Sequence, residues 1–365
     1  MRHPTLSIHR VSPGGAVSLV AANVSYSSLQ WTRRFSACGQ FEAVLSVGIP
    51  FPWPGRFIAT LSDHSQVAVI EKADVAEGAG GGEPKISGRF AESLFDRYKM
   101  GQGGESVRGA NWRQAVTAAM RSWHMNDIPP LSLGAGTEEQ TGSSYVLSED
   151  AGKSAMEAIF ACASSNGSYP EIAYDRSAYP NGFELRLIDG KDRTRAQKDR
   201  PWWVFSLMLG SASSVTYSGD YSVGCSEVVA HAEKDVDGTT VSVTQTVAVP
   251  GFDPETQWAQ RAYEDVGSLI GQDAVPTASL VTQAGLLRAY DHTPALAIDC
   301  DAVSDSYLTG WDVGDLVEVE LAELSLVAVE RIEEAREIYD GDGPRVEATV
   351  GTKTISKLAR AVGRR

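Results

Sequence analysis

From residue 40 onward the apolar positions fall on alternate residues: Phe41, Ala43, Leu45 and Val47 are interleaved with Glu42 and Ser46. A period of two gathers the apolar set on one strand face, so this stretch predicts part of a half-buried antiparallel sheet. Arg56 to Ile70 adds two β-rich runs around the turn-like Ser62-Asp63-His64-Ser65. Between them, Ile49-Pro50-Phe51-Pro52-Trp53-Pro54-Gly55 predicts a loop, because proline lacks the ladder N–H. Glu77 to Glu83, rich in glycine, predicts a connector, and a short strand at Pro84 to Ser87 leads into an expected helix from Gly88 to Tyr98.

The period then changes. Trp112, Ala115, Val116, Ala119, Met120 and Trp123 form one helical stripe over residues 111–123. A second helix is expected from Glu149 to Ala163, with acids in its first turn complementing the helix dipole. Strands follow at Glu171 to Asp175 and Phe183 to Ile188, separated by Tyr179-Pro180-Asn181-Gly182. Glu227 to Val249 reads as a long hairpin about Asp237-Gly238, with Val241, Val243, Val247 and Val249 on one face. Asp253-Pro254-Glu255 has the cap, first-turn proline and acid of a helix start, with Trp258, Ala262, Val266 and Leu269 as its apolar face. Another helix is expected over Ala278 to Tyr290. The end returns to strands at Leu296 to Cys300, Gly314 to Leu321 and Pro344 to Val350, with a solvated Glu/Arg stretch through Glu337. Closure into a small barrel is the expected outcome, with Val317, Val319 and Leu321 inward and Glu318 and Glu320 outward.

Composition narrows the class. A chain of 365 residues, at roughly 150 per domain, predicts two or three folding units. With 42% hydrophobic and 22% charged residues it is globular in composition, and no apolar run approaches the ~18 residues of a membrane span. Met1-Arg2-His3-Pro4-Thr5 has no basic-then-apolar signal pattern, so maturation in a cytoplasm is expected. Cys38, Cys162, Cys225 and Cys300 stand far apart without ligand spacing, which favours small buried apolar residues over a metal cluster or disulfide scaffold. The formal net charge of -15 disfavours a phosphate-neutralising surface, although an acidic wall would let DNA slide past without sticking.

Each motif that would carry catalysis lacks a necessary residue. Ala151-Gly152-Lys153-Ser154 resembles the end of a phosphate-binding loop, but Leu147 stands where its first glycine belongs. Asp299, Asp301 and Asp305 form an incomplete calcium loop, with Val303, Ser304 and Gly310 at positions five, six and twelve. The histidines at 3, 9, 64, 124, 231 and 292 show no metal-binding spacing, and no nucleophile elbow accompanies them. Among 47 acids a carboxylate pair suited to glycoside cleavage carries no information by itself. No catalytic, cofactor-binding or metal residue is therefore assigned. The basic run Lys191 to Arg200 predicts an exposed loop or subunit contact, and the basic, amphipathic tail Lys353 to Arg365 either docks on a partner or frays.

Taken in order, several segments resemble the tail-hub, or baseplate-hub, proteins of long-tailed bacteriophages, in particular the hub-like family of siphophages. The resemblance spans nearly the whole chain. It rests on Trp31 followed by Gly39-Gln40-Phe41-Glu42-Ala43-Val44-Leu45, and on Ile86-Ser87-Gly88-Arg89-Phe90-Ala91-Glu92-Ser93-Leu94-Phe95-Asp96-Arg97. Further on it rests on Leu187-Ile188-Asp189-Gly190-Lys191-Asp192-Arg193-Thr194 and on Trp311-Asp312-Val313-Gly314-Asp315-Leu316-Val317-Glu318-Val319. Arg331-Ile332 with Glu347 to Gly351 looks like the closing hairpin of the same domain.

The resemblance implies an α+β, β-rich fold in which two small antiparallel β-barrels and intervening α/β modules assemble as a trimeric hub. Residues 1–100 would form the N-terminal barrel, 101–200 an α/β module, 201–295 the long hairpin with a helical module, 296–351 the C-terminal barrel segment and 352–365 a basic tail. Contacts between copies would come from 1–98 and 300–350. The implied role is structural, not enzymatic: a virion tail-tip component, assembled in the host cytoplasm, that joins the distal tail ring and tape-measure protein to the tip or fibres. It would gate genome passage, meeting DNA only in transit and a membrane not stably. A tail-associated cell-wall or polysaccharide hydrolase and the spike base of a contractile secretion system remain the alternatives.

Overall fold

The computed structural model describes residues 3–351 except 47, 76–82, 102–103, 124–130, 135–144, 150–151, 175–182, 221–223, 237, 251, 256, 271–273, 294 and 303–305. Residues 77–82 of the expected connector, the turn at 179–182, Asp237, Asp305 and the basic tail from 352 thus lie outside the described residues. Two compact units emerge: Met1–Val215 with Asp299–Val350, and a second built on Thr216–Ile298.

The first unit begins with β1 (Leu6–Val11), β2 (Val17–Val24), β3 (Tyr26–Arg34), β4 (Gln40–Leu45), β5 (Phe57–Leu61), β6 (Val67–Val69), β7 (Lys72–Asp74) and β8 (Lys85–Arg89). The expected alternation holds in β4, where Phe41, Ala43 and Leu45 are buried. Strands β5 and β6 pair antiparallel around the turn at 62–65, inside a four-stranded sheet of order β2-β1-β5-β6. The expected helix from Gly88 is replaced: Gly88 and Arg89 complete β8, and only Ala91–Arg97 winds, as a 3-10 helix. The cause is packing, since a Cβ on Gly88 would collide with the Val69 carbonyl, and Phe90 stays extended to bridge Ala68.

Next come β9 (Glu105–Gly109), α1 (Trp112–Ser122), β10 (Ser132–Leu133), β11 (Tyr145–Glu149), α2 (Ala155–Ser165), β12 (Ser168–Tyr174) and β13 (Phe183–Asp189). Helix α1 follows its stripe. Asn111 caps it by accepting the Gln114 N–H, and Ala115, Val116, Ala119 and Met120 join a core with Ile159, Cys162 and Leu185. Helix α2 starts later than expected because Glu149 ends β11, paired with Glu105 of β9. Its first turn keeps a single acid, Glu157.

The chain then runs through β14 (Val204–Phe205) and β15 (Ala212–Asp220) into the second unit, with β16 (Glu227–Val236), β17 (Thr239–Ala248), β18 (Arg261–Asp265) and α3 (Ala278–Ala289). It returns along β19 (Ala295–Ala302) to β20 (Leu316–Leu321), β21 (Leu326–Asp340) and β22 (Gly343–Val350). The large sheet runs β15-β19-β22-β21-β3-β4-β8-β7, with β20 joining β21 and β14 joining β20. It is β-rich as expected, but among the described residues the pairings leave it open, and no closed barrel is present.

Three details of the C-terminal expectation change. The Glu/Arg stretch is not a solvated connection but β21, a 15-residue strand seated between β22 and β3. Val317 and Val319 face the core, fully buried, whereas Leu321 is half-buried. Glu318 is buried instead of solvated, at 7% exposure, because Arg195 covers it. The turn before β20 is as tight as expected: Gly314 has φ +87° with the Phe35 ring against it, a geometry that excludes a side chain.

In the second unit β16 and β17 form the expected hairpin in unbroken register, and β18 adds parallel to β16. The helix expected from Asp253 is absent. Asp253 does cap a single turn, accepting N–H groups from Glu255 and Gln257, but Arg261–Asp265 then extend along the free edge of β16. Trp258, expected on an apolar helix face, is 95% exposed. Helix α3 lies on β16 and β17, where Val281 and Ala284 meet Ala230 and Ala232.

Candidate functional site

The densest chemistry of the first unit lies where β3, β12 and the segment before β20 converge. At the end of β3, Arg33 is buried and donates to Tyr307 Oη (3.1 Å), Tyr169 Oη (2.9 Å) and Asp312 Oδ1 (2.5 Å). Burial by itself would lower the guanidinium's pKa, but the phenols of Tyr307 and Tyr169 and the Asp312 carboxylate carry it well above its ordinary value. Burial likewise raises both tyrosines, so both phenols stay neutral beside the guanidinium. Such a planar fork with several acceptors suits arginine alone.

Beside it, a recess of about 250 Å³ is lined by Arg33, His64, Gln66, Glu171, Arg186 and Asp312, among others. Glu171 accepts from Ser65 Oγ (2.9 Å) and Gln66 Nε2 (2.5 Å), tying the turn at 62–65 to β12. His64 Nε2 meets Glu337 Oε2 of β21 at 2.8 Å, and Tyr339 donates to the same oxygen. These bonds clasp the turn at 62–65 to β12 and β21.

Glu92 of the 3-10 helix is a further buried acid. It accepts the Ile172 N–H at 2.5 Å, and Cys38 Sγ lies 4.0 Å from its other oxygen. Burial outweighs that hydrogen bond and pushes its pKa to about 8, and it raises the Cys38 thiol as well. All four cysteines, Cys38, Cys162, Cys225 and Cys300, are buried.

The residues singled out in the sequence are placed as follows. The basic run, expected as an exposed loop or subunit contact, is stapled to its own chain. Arg193 Nε donates to Asp315 (2.6 Å), and Arg195 reaches Glu318 and Glu320 across β20. Lys191, Arg195, Lys198 and Arg200 are nonetheless exposed, as expected of a loop. Gly152 is left-handed (φ +78°), and Ser154 Oγ donates to Asp96 (2.7 Å), so the phosphate-loop look-alike is a helix entry pinned to a neighbouring acid. Among the described residues no group of three or more His, Cys, Asp or Glu side chains could hold a metal ion, and no helix is long and apolar enough to cross a membrane. Sequence reasoning missed Arg33, whose one signal is that it ends an unbroken run without charge from Val11 to Thr32.

This architecture is similar to that of phage tail proteins of known structure. The structure is similar to the tail protein from Neisseria meningitidis MC58, with TM-score 0.60 and 16% identity over 97% of this chain and 98% of that one. It is also similar to the 43 kDa tail protein of prophage MuSo2 from Shewanella oneidensis (TM-score 0.60, 10% identity, 95% and 98% covered). The prophage tail protein gp18 from Listeria monocytogenes EGD-e matches at TM-score 0.55 and 9% identity, with 99% and 98% covered. No family model matches the chain, and no curated protein matches it by sequence. The resemblance to phage tail proteins is thus borne out in the fold over nearly the whole chain.

Proposed function

We propose that the chain is the hub at the tip of a phage tail, a structural component of the virion that assembles as a homotrimer. Three copies would seat on the distal tail ring, enclose the end of the tape-measure protein and carry the tip or fibre proteins, opening for genome passage. The observation that supports this most is the match in fold over nearly the full length of both chains to tail proteins of similar size. A second support is the use of the buried cations: Arg33 and Arg193 are held in ion pairs within the chain, which stiffen it as a ring component requires. The acids would in part line the conduit, where a formal charge of -15 per copy repels DNA phosphates.

Labelling purified virions with antibody to this chain tests the reading. Label confined to the tail tip, three copies per particle, is the expected result; label on the shaft or head, or none, would overturn it. Incubating the purified chain with peptidoglycan should release no fragments, and release would favour the hydrolase alternative.

A further inference from the structure

The three-stranded sheet of the second unit has one covered face and one bare one. Side chains alternate between faces along each strand. On the first face Val228, Ala230 and Ala232 of β16 and Val247 of β17 are buried, and α3 lies over these two strands. On the second face Val229 stands between Thr246 of β17 and Tyr263 of β18, and in the next row His231 stands between Thr244 and Asp265. Ser242 and Glu233 pair in the row beyond. Six of these side chains, Thr246, Tyr263, Thr244, Asp265, Ser242 and Glu233, are exposed.

The middle of this face is held in place. The Tyr263 ring is 64% exposed and stacks on the His231 ring at 5.9 Å, with 29° between their planes. Thr244 Oγ1 lies 3.0 Å from His231 Nδ1, and Asp265 Oδ1 accepts the Gly267 N–H at 2.9 Å. Arg261, in the row before Tyr263, is already bonded to Glu227. Groups carried on paired strands in regular register lose little freedom when a ligand settles on them.

The chemistry of the face selects its ligand. A protein-docking surface has an apolar centre depleted in Glu, Asp and Ser. Here Val229 is the one aliphatic side chain in the three rows, and it is half-buried. Nucleic acids and other polyanions are repelled by Glu233 and Asp265. A chain of uncharged sugars fits instead: the exposed ring of Tyr263 can take the apolar C–H face of a pyranose, and the carboxylates of Glu233 and Asp265 accept hydrogen bonds from its hydroxyls. The hydroxyls of Thr246 and Ser242 both donate and accept, as sugar hydroxyls do. We infer that the bare face of this sheet, centred on Tyr263 and His231, binds a neutral polysaccharide chain.

Isothermal titration calorimetry of the whole chain with chitohexaose, maltohexaose and cellohexaose tests it. Saturable binding of at least one of the three is expected. Tyr263→Ala should weaken that binding at least about fivefold through loss of the stacking ring. Glu233→Gln should weaken it too, and circular dichroism should stay unchanged in both variants because both side chains are exposed. Failure of all three sugars to bind, or variants that bind as tightly as the wild type, would overturn the inference. So would binding of hexalysine but of no sugar, which would reassign the face to a basic peptide. None of these results bears on where antibody labels the virion, so this site and the hub reading can fail separately.

Discussion

His64 Nε2 lies 2.8 Å from Glu337 Oε2, and both side chains are buried, although 273 residues separate them in the chain. The ring stacks on Trp31 at 6.0 Å, and its Nδ1 faces the Asp63 carbonyl oxygen at 3.0 Å. The contact joins the turn after β5 to β21. His64→Ala would leave a buried carboxylate with Tyr339 as its remaining donor. We expect a loss of about 3 kcal/mol in urea unfolding, of which Glu337→Gln in the same chain restores part. Equal stability of His64→Ala and wild type would disprove the clasp.

Glu92 makes stability depend on pH. Its folded pKa, about 8, exceeds the unfolded carboxyl value, so the folded state holds an extra proton between the two. Stability from this group is complete below the unfolded value and declines as pH rises toward 8, by up to roughly 4 kcal/mol. Glu92→Gln keeps an acceptor for the Ile172 N–H and removes the titration. Urea midpoints between pH 5 and 8.5 should fall for the wild type and stay flatter for Glu92→Gln; parallel curves would contradict the assignment.

Arg33→Lys retains the charge but replaces a fork that serves Tyr307, Tyr169 and Asp312 with a single ammonium group. The expected cost is about 2 kcal/mol or more, seen as a lower melting temperature. A melting temperature within a degree of wild type would show that charge alone suffices there.

On β20 the two faces should respond differently. Val319→Asp places an unpaired carboxylate at a fully buried position and should leave the protein insoluble. Glu320→Gln, which loses a bond to a half-exposed arginine, should cost under about 1 kcal/mol. Soluble, folded Val319→Asp in the supernatant would show the face assignment to be wrong.

Local periodicity made α1, α3, β4 and the β16–β17 hairpin legible, because in each the apolar face is set by neighbours in sequence. Strand β21 was hidden by a bulge. Its register slips between Ile332 and Glu334, so the inward set moves from Ile332 to Ala335, Glu337 and Tyr339 and no single period of two survives. Asp253 failed for the opposite reason: a good local cap was overridden when the edge of β16 recruited Arg261–Asp265 as a strand. The clasps at Arg33 and His64 could not be read at all, since Asp312 and Glu337 reach them from the far end of the chain.

The pairing of β3 with β21 also sets a clock. Arg34 and Glu334 are ion-paired and 300 residues apart, so a ribosome working at ~5–20 residues per second delivers the second about 15–60 s after the first. Throughout that interval β3 has β4 on one side and an unfilled edge on the other. A nascent chain halted before β21 carries that gap permanently, with Trp31 lacking its cross-strand partner Glu337. A truncated product would thereby keep an unpaired strand edge exposed, the kind of edge on which chains aggregate.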